Sequence, residues 1–199
     1  MPKLSDEARR ERRGRIALAA LRAFSRKGIA GTSMADIIAE AGLSAGSIYS
    51  HFDSKAQLMR FAAREMMEVR GEAFLAATVD AETPPGPQEV LRRMVHEVLP
   101  DEFGQVLVGI FAEAATNPEL LEVVGENLQG AKEMVARFML PWARGKAGVG
   151  RWEGLDAADL AGRAADATLL CAHGILLRRS LQPDVDVDAL VDDLLVGWD

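Results

Sequence analysis

Residues 28–58 hold three helix starts and two glycine stops in about thirty positions, so neither a long helix nor a strand can run through them. Gly28 suits the left-handed residue that closes a preceding helix. Thr32 and Ser33 then open a second helix, with Ser33 and Asp36 spaced as a capping box, and Ile37, Ile38 and Ala41 form its apolar face. Gly42 closes it after about two turns. Ser44 opens a third short helix through Ala45, Gly46, Ser47, Ile48 and Tyr49, and Ser54 with Gln57 forms a second capping box for a fourth. A helix, a glycine turn and a second short helix are the layout in which the second helix enters the major groove of DNA.

The formal charge of -7 argues against a polyanionic partner only until it is divided. Residues 1–60 carry eleven Lys or Arg against six Asp or Glu, a net +5, whereas residues 61–199 carry twelve against twenty-four, a net -12. A basic head on an acidic body fits a chain of which only the first part meets nucleic acid. Arg9, Arg10, Arg12, Arg13 and Arg15 are either a solvated tail or frayed helix start, or a basic arm along phosphates or in a minor groove.

From Ile16 onward, Ala17, Ala20, Leu21 and Phe24 recur at helical spacing, and the remaining chain continues the pattern. The helix opened at Ser54 predicts an amphipathic run to about Thr78, roughly 37 Å long and able to act as a lever. The Thr83–Pro87 breaker starts a fifth helix to about Leu99, and Pro100 and Asp101 start a sixth to about Thr116. Asn117 and Pro118 start a seventh, which Pro141 should kink or shorten. Residues 145–154, GKAGVGRWEG, read as a mobile loop; the phosphate-loop order G-x-x-x-x-G-K is absent. Asp156 caps an eighth helix to Leu181, and a ninth is predicted from about Asp188 to Trp198. The expectation is an all-α chain of about nine helices: a helix-turn-helix head over residues 1–53 and a helical body over 54–199.

Residues Gly31-Thr32-Ser33, Ile37, Ala41-Gly42-Leu43-Ser44, Gly46, Ile48-Tyr49, His51-Phe52, Ser54-Lys55 and Leu58 resemble the DNA-binding head of the TetR family of bacterial transcriptional regulators. A weaker likeness covers residues 115–120 and 184–190. The resemblance implies phosphate contacts from Thr32, Ser33 and Lys55, and base or phosphate contacts from Ser44, Ala45, Gly46, Ser47, Tyr49, Ser50 and His51. Packing against the first helix is the plainer role for Tyr49 and His51. Ala45 stands where the family often has lysine or proline, and Ser50 where it often has an aromatic residue.

For the body, the resemblance implies an effector cavity that Met66, His96, Phe111, Met134, Phe138, Trp142 and Cys171 could line, although each also suits plain core. It also implies homodimerisation through the last two helices and repression of a double-stranded DNA operator relieved by a small molecule. Activation, effector-free regulation and, more remotely, an enzyme bearing a DNA-binding head are the alternatives. No residue set suggests catalysis, a cofactor or a metal. Asp184, Asp186 and Asp188 lack the glycine and glutamate of a calcium loop and read as helix caps. Cys171 is the single cysteine, and no apolar run nears the roughly 20 residues that span a bilayer, so a reducing cytoplasm with no membrane partner is the simple expectation.

Overall fold

The computed structural model describes residues 6–62, 64–65, 84–98 and 101–198. Among these there are helices and turns but no strand. They fall into two compact units, one from residues up to 68 together with 106–125, the other from 69–105 with 126–199. The predicted course of the fourth helix to Thr78, the breaker at Thr83 and the residues Met66, Leu99 and Pro100 lie outside the described residues.

In the first unit, α1 (Asp6–Lys27) begins well before the periodic apolar stretch, so Arg9 to Arg15 are helical and not an extended arm. Its inward face buries Ile16, Ala20 and Phe24. Left-handed glycines end α1 at Gly28 (φ 69°) and α2 (Met34–Ala41) at Gly42 (φ 62°). Ser33 caps α2 by accepting from the Asp36 amide, while the Asp36 carboxylate accepts from the Ser33 amide at 2.8 Å. Ser44 caps α3 (Ala45–Tyr49) by accepting from the Ser47 amide at 3.2 Å. The start of α4, helical over residues 55–62 and again at 64–65, is capped by Ser54 through the Gln57 amide at 3.1 Å. Gln57 reaches back to the Asp53 amide at 2.6 Å, one residue earlier than a regular capping box requires. Ile37, Ile48, Phe52 and Leu58 meet α1 in one apolar core, which Leu120 and Val123 join.

In the second unit, α5 (Pro87–Arg93) has its proline where the missing N–H costs nothing and passes into a π-helical turn, Met94–Val98. The next two helices each contribute residues to both units. Of these, α6 (Asp101–Ala114) ends two residues before the expected Thr116. Asn117 caps α7 (Pro118–Lys146) by accepting from the Leu120 amide at 3.2 Å. Helix α7 continues through the exposed Pro141 for five more residues, so the proline does not shorten it.

The expected mobile loop is a built turn. A 3-10 segment, Gly150–Trp152, follows α7; Arg151 lies 4.5 Å from the Trp152 ring and donates to the Gly197 carbonyl at 2.8 Å, and the Trp152 and Trp198 rings are 4.8 Å apart. Trp198 therefore belongs to this turn and not to the last helix: α9 (Val187–Asp193) stops early, with Leu195 (φ 59°) and Gly197 (φ 85°) both left-handed. Asp186 caps α9 by accepting from the Ala189 amide at 3.0 Å, the capping role expected of that aspartate run.

The α8 helix (Ala157–Leu181), capped by Asp156, buries Leu160, Ala161, Ala164, Ala165 and Ala172. It is long and apolar enough by composition to cross a bilayer, with mean hydropathy 1.2 in its most apolar window. The sequence expectation that no segment reaches that length is corrected to this extent. Half of that window is buried, and α8 packs against α5, as the core helix of a folded domain does.

Candidate nucleic-acid interface

The two short helices present their N-termini as capped, exposed ends. On α3, Ser44, Ala45 and Gly46 are exposed and Tyr49 is 48% exposed, so the tyrosine points outward and does not pack on α1. Ser50 is exposed too, and its hydroxyl donates to the Ser47 carbonyl at 2.8 Å. On the opposite face, Ile48 is fully buried and fixes the rotation of the helix. A Cβ at Gly46 would meet no atom within 4 Å. The fold itself therefore has no steric need for glycine there, although glycine inside a helix costs about 1 kcal/mol relative to alanine.

His51 follows α3 and is half-buried, with its Nδ1 enclosed and unpaired. Loss of water pushes its ring toward the neutral form, and the guanidiniums of Arg9, Arg12 and Arg13 reinforce this. The N-terminal turns of α1 thus lie electrostatically beside the end of α3, which agrees with the packing alternative for His51, an alternative that left open which arginines would be involved. Arg13 has a separate use: its guanidinium lies 4.1 Å from the Phe61 ring centroid and 5.0 Å from that of Phe52.

Two of the expected phosphate contacts face inward. Thr32 is 2% exposed, donates its hydroxyl to the Gly28 carbonyl at 2.6 Å and its amide to the Ile29 carbonyl at 3.1 Å, and so has no donor left for a phosphate. Lys55 donates to the Ile29 and Thr32 carbonyls at 2.8 and 3.3 Å. Ser33 is exposed, with its hydroxyl engaged by Asp36. Three more cations are paired across α1 and α2, Arg22 with Glu40 at 2.9 Å, Arg26 with Glu40 and Lys27 with Asp36. Lys27 and then Ser33 hold the Asp36 carboxyl well below the usual range, and Arg26 and then Arg22 do the same for Glu40. Arg9, Arg10, Arg12 and Arg15 form no ion pair with another described residue, so the head's outward positive charge is concentrated at the start of α1.

The residues expected to line a body cavity do not gather at one place. His96 is exposed, its Nε2 lying 3.0 Å from Asp188, because the π turn swings it toward α9. Phe111 packs on the apolar core of the first unit. Met134 and Phe138 are half-buried on α7, and Trp142, 7% exposed on the same helix, has its indole N–H enclosed without a partner. Cys171 is half-buried on α8, and burial pushes its thiol up. Met66 lies outside the described residues. No group of three or more His, Cys, Asp or Glu suited to a metal occurs among the described residues.

Residues 16–60 match the family model for bacterial regulatory proteins of the tetR family. The chain is 34% identical over 98 residues to the HTH-type transcriptional regulator TtgR of Pseudomonas putida, an alignment that covers 49% of this chain and 46% of TtgR. It therefore spans about half the length of such relatives. Among solved structures, the fold is similar to a TetR-family transcriptional regulator from Cytophaga hutchinsonii, with TM-score 0.69, 23% identity and coverage of 97% of this chain and 94% of that one. Salmonella enterica GusR gives TM-score 0.67 at 22% identity, covering 96% and 94%. Residues 16–60, which hold the capped α2–α3 pair, are thus similar to the bacterial regulatory proteins of the tetR family, and the all-helical fold is similar to that of both solved structures.

Proposed function

We propose that the protein is a sequence-specific DNA-binding transcriptional regulator, a repressor released from its operator by a small-molecule effector. The observation that carries the reading is the outward face of α3, where Ser44, Ala45, Gly46, Tyr49 and Ser50 stand clear of the head's core, with Ser47 half-buried among them. Close approach to base edges supplies the reason for Gly46 that the free head lacks. Ser33 at the start of α2, His51 after α3 and the arginines of α1 would meet phosphates.

Residues 1–53 act as the reading head and 54–199 as the sensing and dimerising body. Leu170 (72% exposed), Leu177 and Leu181 (73%) form an outward stripe on α8 that a second copy would cover, with α9 beside it. Two heads in successive major grooves would then sit about 34 to 36 Å apart. Met134, Phe138, Trp142 and Cys171 are the described groups available to an effector, and the enclosed indole N–H of Trp142 favours one carrying a hydrogen-bond acceptor. We read the body as non-catalytic and the protein as cytoplasmic.

Mobility shift with genomic fragments at two salt concentrations tests the reading. The expected result is a sequence-selective complex that weakens steeply with salt; binding that is absent or indifferent to sequence sinks it. Thermal-shift screening tests the effector, since a ligand at a hundred times its dissociation constant adds about 2.7 kcal/mol of stability.

A further inference from the structure

The structure assigns to Gln88 a positioning role: from the first turn of α5 it pins the C-terminal end of α9, and so fixes the part of the proposed dimer face that α9 contributes. The face rests on the homodimer reading above, the pin on geometry alone. Helix α9 has 7 residues, too few to hold together by themselves, and buries one side chain, Val191. No left-handed glycine caps its end, since the cap residue Leu194 is extended (φ -91°, ψ 148°). The last carbonyls of a helix have no donor within it. Here the side-chain amide of Gln88 supplies one, donating to the Val191 and Asp192 carbonyls at 3.0 Å each and to the Leu194 carbonyl at 3.2 Å, from 103 to 106 residues away.

The residues that follow along α5 continue the hold. Arg92 lies 2.8 Å from the Asp192 carboxylate and 3.7 Å from that of Asp188, and His96 is 3.0 Å from Asp188. These pairs stand largely in water and add little strength, whereas two of the Gln88 bonds are part-buried. Beyond α9, Leu195 takes a left-handed conformation (φ 59°), which an L side chain enters only at a cost. Arg151 then holds the Gly197 carbonyl at 2.8 Å. Residues 194–197 are therefore fastened at one end by Gln88 and at the other by Arg151, with Val196 exposed between them. Helix α9 packs beside α8, where Leu170, Leu177 and Leu181 stand uncovered. A two-fold copy that covers this stripe reaches α9 as well, and an α9 free to fray would withdraw its share of the contact.

The test is Gln88→Glu, which keeps the size of the side chain and turns its donors into acceptors. Amide hydrogen exchange is expected to quicken roughly tenfold at Leu194, whose N–H closes on the Leu190 carbonyl, while Ala172 on α8 is unchanged. In the same samples the dissociation constant of the homodimer, measured by sedimentation, is expected to rise, a change that a purely local cap would not produce. Unchanged exchange at Leu194 overturns the pin, and faster exchange with an unchanged dissociation constant overturns its role in the dimer face. A chain that is monomeric before substitution refutes the homodimer reading instead, and the exchange result still decides the pin. Should the α8 amides quicken too, Gln88→Met removes the donors without adding charge. Faster Leu194 exchange in that variant, with α8 unchanged, supports the pin, and unchanged exchange overturns it.

Discussion

The α2 and α8 helices are both essential packing elements, and they are held by opposite means. The α2 helix has 8 residues, too few to be stable alone, and beside the apolar packing of Ile37 it is held by directional ties: a capping box at its start, a left-handed glycine at its end, and three cations of α1 on Asp36 and Glu40. The α8 helix has 25 residues, and below its Asp156 cap it relies on burying a face of alanines and leucines. Directional ties fix a helix's rotation and entry angle, which a groove reader needs. Apolar burial fixes proximity and tolerates sliding, which suits a helix that must seat against several neighbours.

Breaking the hub shared by the short helices should give the largest effect. Phe52→Ala removes a fully buried ring touching α1, α3 and α4, and is expected to cost about 3–5 kcal/mol by chemical denaturation. In the body the matching stroke is overfilling: Ala164→Leu, at a fully buried site on α8, should cost about 1–3 kcal/mol. A cost near zero would mean that the alanine face has room to spare, and the contrast between burial and direction would weaken. Ser33→Ala removes the cap of α2 together with the phosphate contact proposed for its hydroxyl, and should cost about 1 kcal/mol of stability. Since the cap also sets the helix's entry angle, operator affinity should drop by more than stability does; equal losses would make the cap a matter of stability alone.

Smaller effects sharpen the electrostatic side. Ala45→Lys adds a cation to the exposed start of α3 and should steepen the salt dependence of DNA binding by about 0.9 in the log–log slope, without regard to sequence. An unchanged slope would place residue 45 away from the phosphates. The pH dependence compares the two units directly. His51 beside α1 and His173 on α8 are both held below the ordinary histidine value of 6.5, chiefly by loss of water. Protonation then favours the unfolded chain. Stability is complete above about pH 6.5 and is lost as pH falls through the lower folded values. Unfolding midpoints at pH 7.5 and 5.5 should differ in that direction, and His51→Gln should reduce the difference; a midpoint equal at both pH values would contradict both assignments.

What could be read from the sequence follows the range of the contacts. Ser33 with Asp36, Ser44 before α3, Asp156 before α8 and Asp186 before α9 are ties across three residues, and each was legible with its physical reason. Lys55 on Ile29, Arg13 on Phe61 and Arg151 on Gly197 join residues 26 to 48 apart. For each of these, the sequence shows a cation and leaves its partner open. Lys55, expected at a phosphate, and Arg13, left open between a solvated helix start and a basic arm, both have internal partners that no sequence spacing announces. The early end of α9 has the same origin, because Trp198 continues an apolar pattern that the distant Trp152 claims. His96 was misplaced by the π turn, whose extra residue per turn no apolar spacing announces.

Gly31 lies at the corner that Lys55 closes, and it is exposed to solvent. A Cβ there would come within 2.5 Å of the Lys27 carbonyl oxygen, a backbone atom that cannot turn aside. Exposure ordinarily signals freedom to vary, yet a saturation library at this position should return glycine alone among its folded members. Surface accessibility is thus a poor guide to which parts of this head can be redesigned. A site open to water is here among the least open to change.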